Sequence, residues 1–153
     1  MQLQSEYGER NFLCAGWVRK MKSYNDIIGI EAEISGYRRP CLRAAILLDK
    51  GMVAWNDSLQ WNNNFLRSIS ADCRQEIVGL LPSTQLLQWE PIYEVTDVAT
   101  VACRDALPGA WSVTVTFADG TVFKSGGSKL YPENWGIFRK LIEVATRVPF
   151  RIR

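Results

Sequence analysis

Residues 28 to 34 read Ile-Gly-Ile-Glu-Ala-Glu-Ile, which sets Ile28, Ile30, Ala32 and Ile34 on one face and Gly29, Glu31 and Glu33 on the other. A period of two is the pattern of a strand with one buried face. Turn chemistry fills Ser35 to Pro40, and Cys41 to Leu48 is an apolar run of strand length that suits a central strand buried on both faces. Asp49-Lys50-Gly51 predicts a hairpin turn with glycine at a positive φ, and Met52 to Trp55 the returning strand. A less regular strand is expected over Phe12 to Met21.

The period then changes. Trp61, Phe65 and Ile69 recur every four residues, the spacing of a short helix capped by Asp57 or Ser58, although Asn62 to Asn64 favour turns. A clearer helix follows: Ser70 can cap it, Asp72 falls in its first turn, Cys73, Ile77, Leu80 and Leu81 form one stripe, and Pro82 ends it. Ser83 to Trp89 reads as a further helical turn and Ile92 to Val98 as extended.

Trp111, Val113, Val115 and Phe117 alternate with Ser112, Thr114 and Thr116 before Asp119-Gly120 turns the chain, which predicts a β-hairpin returning over Thr121 to Lys124. Apolar matching pairs Val115 with Phe123 through a three-residue loop with a glycine bulge. Ser125-Gly-Gly-Ser128 reads as a connector. It lacks the glycine-lysine ending of a phosphate loop and the dinucleotide glycine fingerprint. With Pro132 as its first residue, a helix carrying Trp135, Phe138, Ile142 and Ala145 on one stripe should cover the hairpin. Glu143 and Arg147 are four apart in the favourable order, and Val148 to Arg153 alternates as a short edge strand would. A hairpin at Gly51 and another at Gly120, each followed by Phe and Ile four apart, form a faint internal echo that common α+β architecture explains equally well.

These elements predict an α+β fold: residues 1–153 as a single domain, with a mainly antiparallel sheet of about five to seven strands and two or three helices packed on one face. The length of 153 residues and 47% hydrophobic content suffice for one self-supporting core. The start of the chain lacks a basic, apolar secretory leader, and the longest apolar run is Ala44 to Leu48, so a cytoplasmic protein with no membrane segment is expected.

The chain contains no histidine. That excludes Ser-His-Asp and Cys-His nucleophile systems and the paired-histidine zinc helix. Cys14, Cys41, Cys73 and Cys103 are widely spaced, with no Cys-x-x-Cys pair, so they read as reduced, packed thiols and no metal or cofactor is expected. Glu31 and Glu33 share a strand face, which would suit carboxylate chemistry but is also the ordinary solvated side of such a strand.

Charge distribution changes the picture more than its sum of +2. Residues 71–123 hold two basic and seven acidic side chains, and residues 124–153 hold seven and two. Lys124, Lys129, Arg147, Arg151 and Arg153 in the basic quarter, with Arg38 and Arg39 from the earlier turn, are candidate binding residues. Trp17 beside basic residues and Trp61 beside three asparagines are candidate aromatic anchors. No catalytic constellation accompanies them. The expected function is therefore a small non-enzymatic protein-binding domain, a stoichiometric inhibitor or accessory subunit with a protein partner. A nucleic-acid-binding module using the basic quarter is the alternative, and a carboxylate- or thiol-based enzyme the second alternative. If the last helix does carry core on its stripe, Phe138→Ala should cost about 3 to 5 kcal/mol of stability. Chemical denaturation of that variant checks this, and an unchanged midpoint would refute the packing.

Overall fold

The computed structural model describes residues 22–36, 41–93 and 110–152. The alternating segments build one seven-stranded sheet from β1 (Ile27–Ser35), β2 (Cys41–Leu47), β3 (Met52–Asp57), β4 (Phe65–Ser68), β5 (Ile92–Tyr93), β6 (Ala110–Phe117) and β7 (Val122–Ser128). Their spatial order is β4-β3-β2-β1-β6-β7-β5, antiparallel throughout except for the β5–β7 pair. Two helices, α1 (Ala71–Thr84) and α2 (Trp135–Thr146), pack on each other and over one face of the sheet. This is the α+β class expected from the sequence.

Cross-strand register explains the one-sided core. Val53, Ile46, Ile30, Val115 and Phe123 lie opposite one another on five successive strands, and all are buried. The neighbouring row includes Trp55, Ala44, Ala32 and Val113, where two alanines at the centre leave room for a helix. The opposite face carries Arg43, Glu31, Glu33, Thr114 and Lys124 and has no helix on it among the described residues. Accordingly β2 is buried on one face only: Leu42, Ala44 and Ile46 are inside, while Arg43 is exposed and paired with Glu31. The apolar residues Ala45 and Leu47, which suggested two covered faces, are half-buried on the open side.

The two hairpins follow the predicted turn chemistry. Gly51 has φ +62° and Gly120 φ +86°, and Val115 pairs with Phe123 as apolar matching required. Asp119 tightens the second turn by accepting from the Thr121 N–H at 3.0 Å, and it also pairs with Lys22. That cation holds the Asp119 carboxyl well below the usual carboxylate range.

The expected helix over 57–69 is absent. In its place a 3-10 turn at Trp61–Asn63 leads into the edge strand β4, with Phe65 opposite Trp55. Amide side chains account for the change, because they supply the bonds a helix would have supplied. The Asn64 carbonyl oxygen accepts from the Asp57 N–H at 2.7 Å, and Asn63 Nδ2 donates to Gln60 Oε1 at 2.6 Å. The internal echo disappears with that helix, since only one of the two hairpins is followed by one.

Ser70 caps α1 as expected, its hydroxyl accepting from the Cys73 N–H at 3.1 Å, and Ile77 and Leu81 are fully buried. The helix does not stop at Pro82 but continues to Thr84. Pro82 is exposed, and the left-handed Gln85 makes the end, its N–H donating to the Pro82 carbonyl. A 3-10 turn at Leu86–Gln88 follows, and of the segment expected to be extended β5 covers Ile92–Tyr93; residues 94–98 lie outside the described residues, as does the strand expected over 12–21.

Ser125 to Ser128 is strand rather than connector, pairing with β6 on one side and β5 on the other. Its glycines permit this close approach: a Cβ on Gly127 would stand 2.1 Å from the Tyr93 carbonyl oxygen. Pro132 precedes α2 instead of starting it, its carbonyl accepting from the Trp135 N–H at 3.0 Å, and Asn134 takes the cap position.

Phe138, Ile142 and Ala145 of α2 are buried, as the stripe predicts; Trp135 at its start is half-buried, and Leu141, outside the stripe, is buried as well. The helix body lies over β2 and β3 rather than over the β6–β7 hairpin; only its first turn reaches β6, through Trp135 against Trp111 with ring centroids 5.0 Å apart. Trp89 closes this aromatic group, 5.1 Å from Phe138 and 5.9 Å from Trp111, and its indole N–H donates to the Thr84 carbonyl at 2.9 Å.

The Glu143–Arg147 pair does not form. Arg147 ends α2 in the left-handed conformation, φ +58°, so it leaves the row that Glu143 occupies. Glu143 instead lies 3.7 Å from Arg139 and accepts from the Phe150 N–H at 3.0 Å. That bond turns the tail back across the sheet, and Phe150 inserts between Trp55 and Trp135, so residues 148–152 are coil anchored by the buried Phe150, with Pro149 and Arg151 exposed, and not an edge strand.

Two glycines give opposite expectations. Gly79 sits mid-helix with open space around its Cβ position, so Gly79→Ala should stabilise the protein by about 0.5 to 1 kcal/mol. Gly127→Ala must push β5 off the sheet edge and should destabilise by about 1 to 3 kcal/mol. Urea unfolding of the two variants against wild type reads both signs.

Candidate functional site

Two grooves lined by the described residues adjoin at one end of the sheet, where the tail crosses between the loop after β3 and the start of α2. A cavity of about 540 Å³ opens there, floored by Leu42, Trp55 and Phe65 and rimmed by Asp57, Gln60 and Asn62 to Asn64. A second cleft of about 370 Å³ is lined by Ile34, Tyr131, Trp135, Arg139 and Phe150. Arg151 and Ile152 line both, so the tail forms a ridge between them.

Each side is positioned by local chemistry. Asp57 Oδ1 accepts from the Leu59 N–H at 2.9 Å, while the Ser58 N–H donates to the Cys41 carbonyl at 3.0 Å and the Ser58 hydroxyl accepts from the Cys41 N–H at 2.8 Å. Those bonds hold the loop against β2 and leave the Leu59 side chain 70% exposed. Across the ridge, the Trp111 indole N–H donates to the Leu130 carbonyl at 2.7 Å, and the Tyr131 ring stacks on Trp111 with 45% of its surface still exposed. An exposed apolar residue thus stands on each side of the paired grooves.

The charged groups there differ in sign. Asp57 and Arg151 both line the first groove, whereas among the described residues the titratable groups on the second cleft are Arg139, Arg151 and the Tyr131 phenol. Arg139 is 44% exposed and has Glu143 at 3.7 Å; Arg151 makes no ion pair among the described residues.

Of the candidate residues named from sequence, Arg151 falls at this site. Lys124 is on the open face of the sheet, opposite Thr114 and on the side away from both helices. Lys129 is exposed in the turn after β7 in a left-handed conformation, φ +64°. Arg147 stands at the far end of α2 from Trp135, about 18 Å along the helix at 1.5 Å per residue. The four described basic candidates therefore do not share one face. Trp17, Arg38, Arg39 and Arg153 lie outside the described residues. Trp61 belongs to the 3-10 turn that borders the first groove.

Sequence reasoning missed Leu59, Tyr131 and the role of Arg139. The one available signal was the asparagine run beside Trp61.

Outside the grooves, the described thiols and the Glu31 carboxylate are shaped by their immediate neighbours. Burial, then the neighbouring Glu33 carboxylate, push the Cys41 thiol up from its ordinary value. Burial, with Glu76 nearby, does the same to Cys73. Glu31 is engaged by Arg43, whose guanidinium is raised by that contact. Among the described residues no three Cys, Asp or Glu side chains converge as metal ligands would, and no helix is long and apolar enough to cross a membrane. The sequence matches no protein-family model and no curated protein.

A raised thiol pKa lowers the thiolate fraction near neutrality, and the thiolate is the reactive form. At pH 7.5 alkylation of Cys41 and Cys73 by iodoacetamide should be slower than that of free cysteine. Glu33→Gln should speed Cys41 alone, because removing the carboxylate lets its pKa fall. Peptide mapping by mass spectrometry resolves the individual rates.

Proposed function

We propose that this chain is a small non-enzymatic protein-binding domain that acts as a stoichiometric inhibitor or accessory subunit, occluding or bridging a partner surface. The observation that carries the reading is the pair of adjoining open grooves astride Arg151 and Ile152, bracketed by exposed Leu59 and Tyr131. Exposed apolar side chains beside a polar rim are the composition of a binding surface. They stand on a rigid base, because Trp55 and Phe150 beneath them are fully buried. A surface held in shape before contact loses little ordering entropy on binding. The raised thiols and the Arg43-engaged Glu31 speak for a binding role over a thiol- or carboxylate-based enzyme. The separation of Lys124 from Arg151 across the sheet favours a protein partner over nucleic acid.

A tagged full-length chain should capture one partner in fixed ratio from host lysate and co-elute with it on gel filtration. Leu59→Lys combined with Tyr131→Ala should abolish co-elution while the protein stays folded by circular dichroism, its melting temperature lowered only by the lost Tyr131 ring contacts, whereas Lys124→Glu on the open face should leave co-elution intact. Capture that survives the double variant, or that is lost equally with Lys124→Glu, would count against the reading.

A further inference from the structure

We infer that the paired grooves take an extended peptide segment of the partner in which an acidic residue lies next to a large aliphatic or aromatic one. This rests on the protein-binding reading above and names the chemistry that the same surface selects. The second cleft has an apolar floor of Ile34, Trp135 and Phe150, and the formal charges lining it among the described residues are the two guanidiniums of Arg139 and Arg151. A peptide side chain entering this cleft meets apolar surface, and a neighbouring carboxylate meets planar donor forks suited to it. Glu143 does not cancel this field, because its contact with Arg139 is a 3.7 Å surface pair between helical neighbours, and such pairs are weak.

The first groove complements the peptide differently. Its rim is made of amides, which carry a donor and an acceptor each and so match an extended peptide backbone. The loop's own bonds consume Asn64 Oδ1, Asn63 Nδ2 and Gln60 Oε1. Asn62, the Asn64 amino group and the Asn63 carbonyl have no partner among the described residues. Asp57 on this rim opposes an anion, so the acidic residue belongs in the Arg139–Arg151 cleft and the neutral backbone in the amide groove. The segment thereby acquires a direction across the Ile152 ridge. A nucleic-acid strand fits less well, because Lys124 lies on the opposite face of the sheet and Asp57 lines the first groove, so no continuous basic track runs along the grooves among the described residues.

The test uses immobilised full-length protein and positional-scanning pools of N-acetylated, C-amidated hexapeptides. Retained peptides should be enriched in Asp or Glu within two positions of Leu, Ile or Phe and depleted in Lys and Arg. The best peptide should bind the Arg139→Glu, Arg151→Glu double variant at least about tenfold more weakly, and the pools should now favour basic residues. Both arginines are exposed, so the variant should keep its circular dichroism spectrum and unfold cooperatively, its melting temperature lowered only by the repulsion from Glu143 that Arg139→Glu introduces. Asn62→Ala should weaken all retained peptides without altering the acidic preference. Pools retained without acidic preference, the same preference in the double variant, no retention at all, or arginine-dependent binding of the RNA oligomer rU10 in place of peptide would each overturn the inference. If the pools fail while co-elution with a partner still depends on Leu59 and Tyr131, the peptide chemistry falls and the protein-binding reading stands. If both fail, both are wrong.

Discussion

The rest of the molecule depends on how one apolar sheet face is kept from water by two packed helices. Five strands present buried rows to that face; α2 lies over β2 and β3, packs on α1, and reaches β6 through the ring of Trp135. Trp135 meets Trp111 on β6, and Phe138 meets Trp89, the residue on which the connection from α1 ends. Helix, sheet and connection are thus locked by one aromatic group, whose edge and tilted contacts add to the area each ring buries. The open face needs no such cover, because its register sets Glu31, Glu33, Arg43 and Lys124 toward solvent.

Everything at the groove end follows from where that helix stops. Arg147 turns left-handed, the Glu143 carboxylate receives the Phe150 N–H, and Phe150 enters the core beside Trp55. The tail then lies across the sheet end as a ridge, and Arg151 comes to line the same cleft as Arg139, twelve positions earlier in the chain. On the other side, an asparagine-rich loop closes on itself through its own amides. The grooves are the spaces these two short segments leave on either side of the tail. The same geometry divides the basic quarter: its members are close in sequence, but a sheet stands between Lys124 and the arginines of the tail and helix.

The legibility of each element in the sequence tracked how local its cause was. The strand around Ile30, both glycine turns, the Val115–Phe123 register, the Ser70 cap and the Phe138 stripe were all readable, since each depends on residues within one or two turns of chain. The helix expected at Trp61, Phe65 and Ile69 failed because a spacing of four is compatible with helix but does not require it. Asparagine side chains and pairing of Phe65 with Trp55 outweighed it. Ser125 to Ser128 looked like a connector because its glycines were read as flexible, when their small size was what allowed two strands to approach. At the candidate site, Arg151 and the asparagine run were visible beforehand. Leu59, Tyr131 and the pairing of Arg139 with Arg151 were not, because exposure beside a groove is a property of the assembled surface.

By itself the sequence determined the α+β class, most of the strands and their turns, and the exclusion of histidine chemistry, because periodicity, turn stereochemistry and residue type act over a few residues. Tertiary structure alone decided which charges face one another, which glycines are packed, and that the tail becomes a ridge between two grooves. Those outcomes depend on contacts between segments distant in sequence, such as Phe150 with Trp55 or Tyr93 with Gly127, whose free energy exists only once the sheet has brought them together.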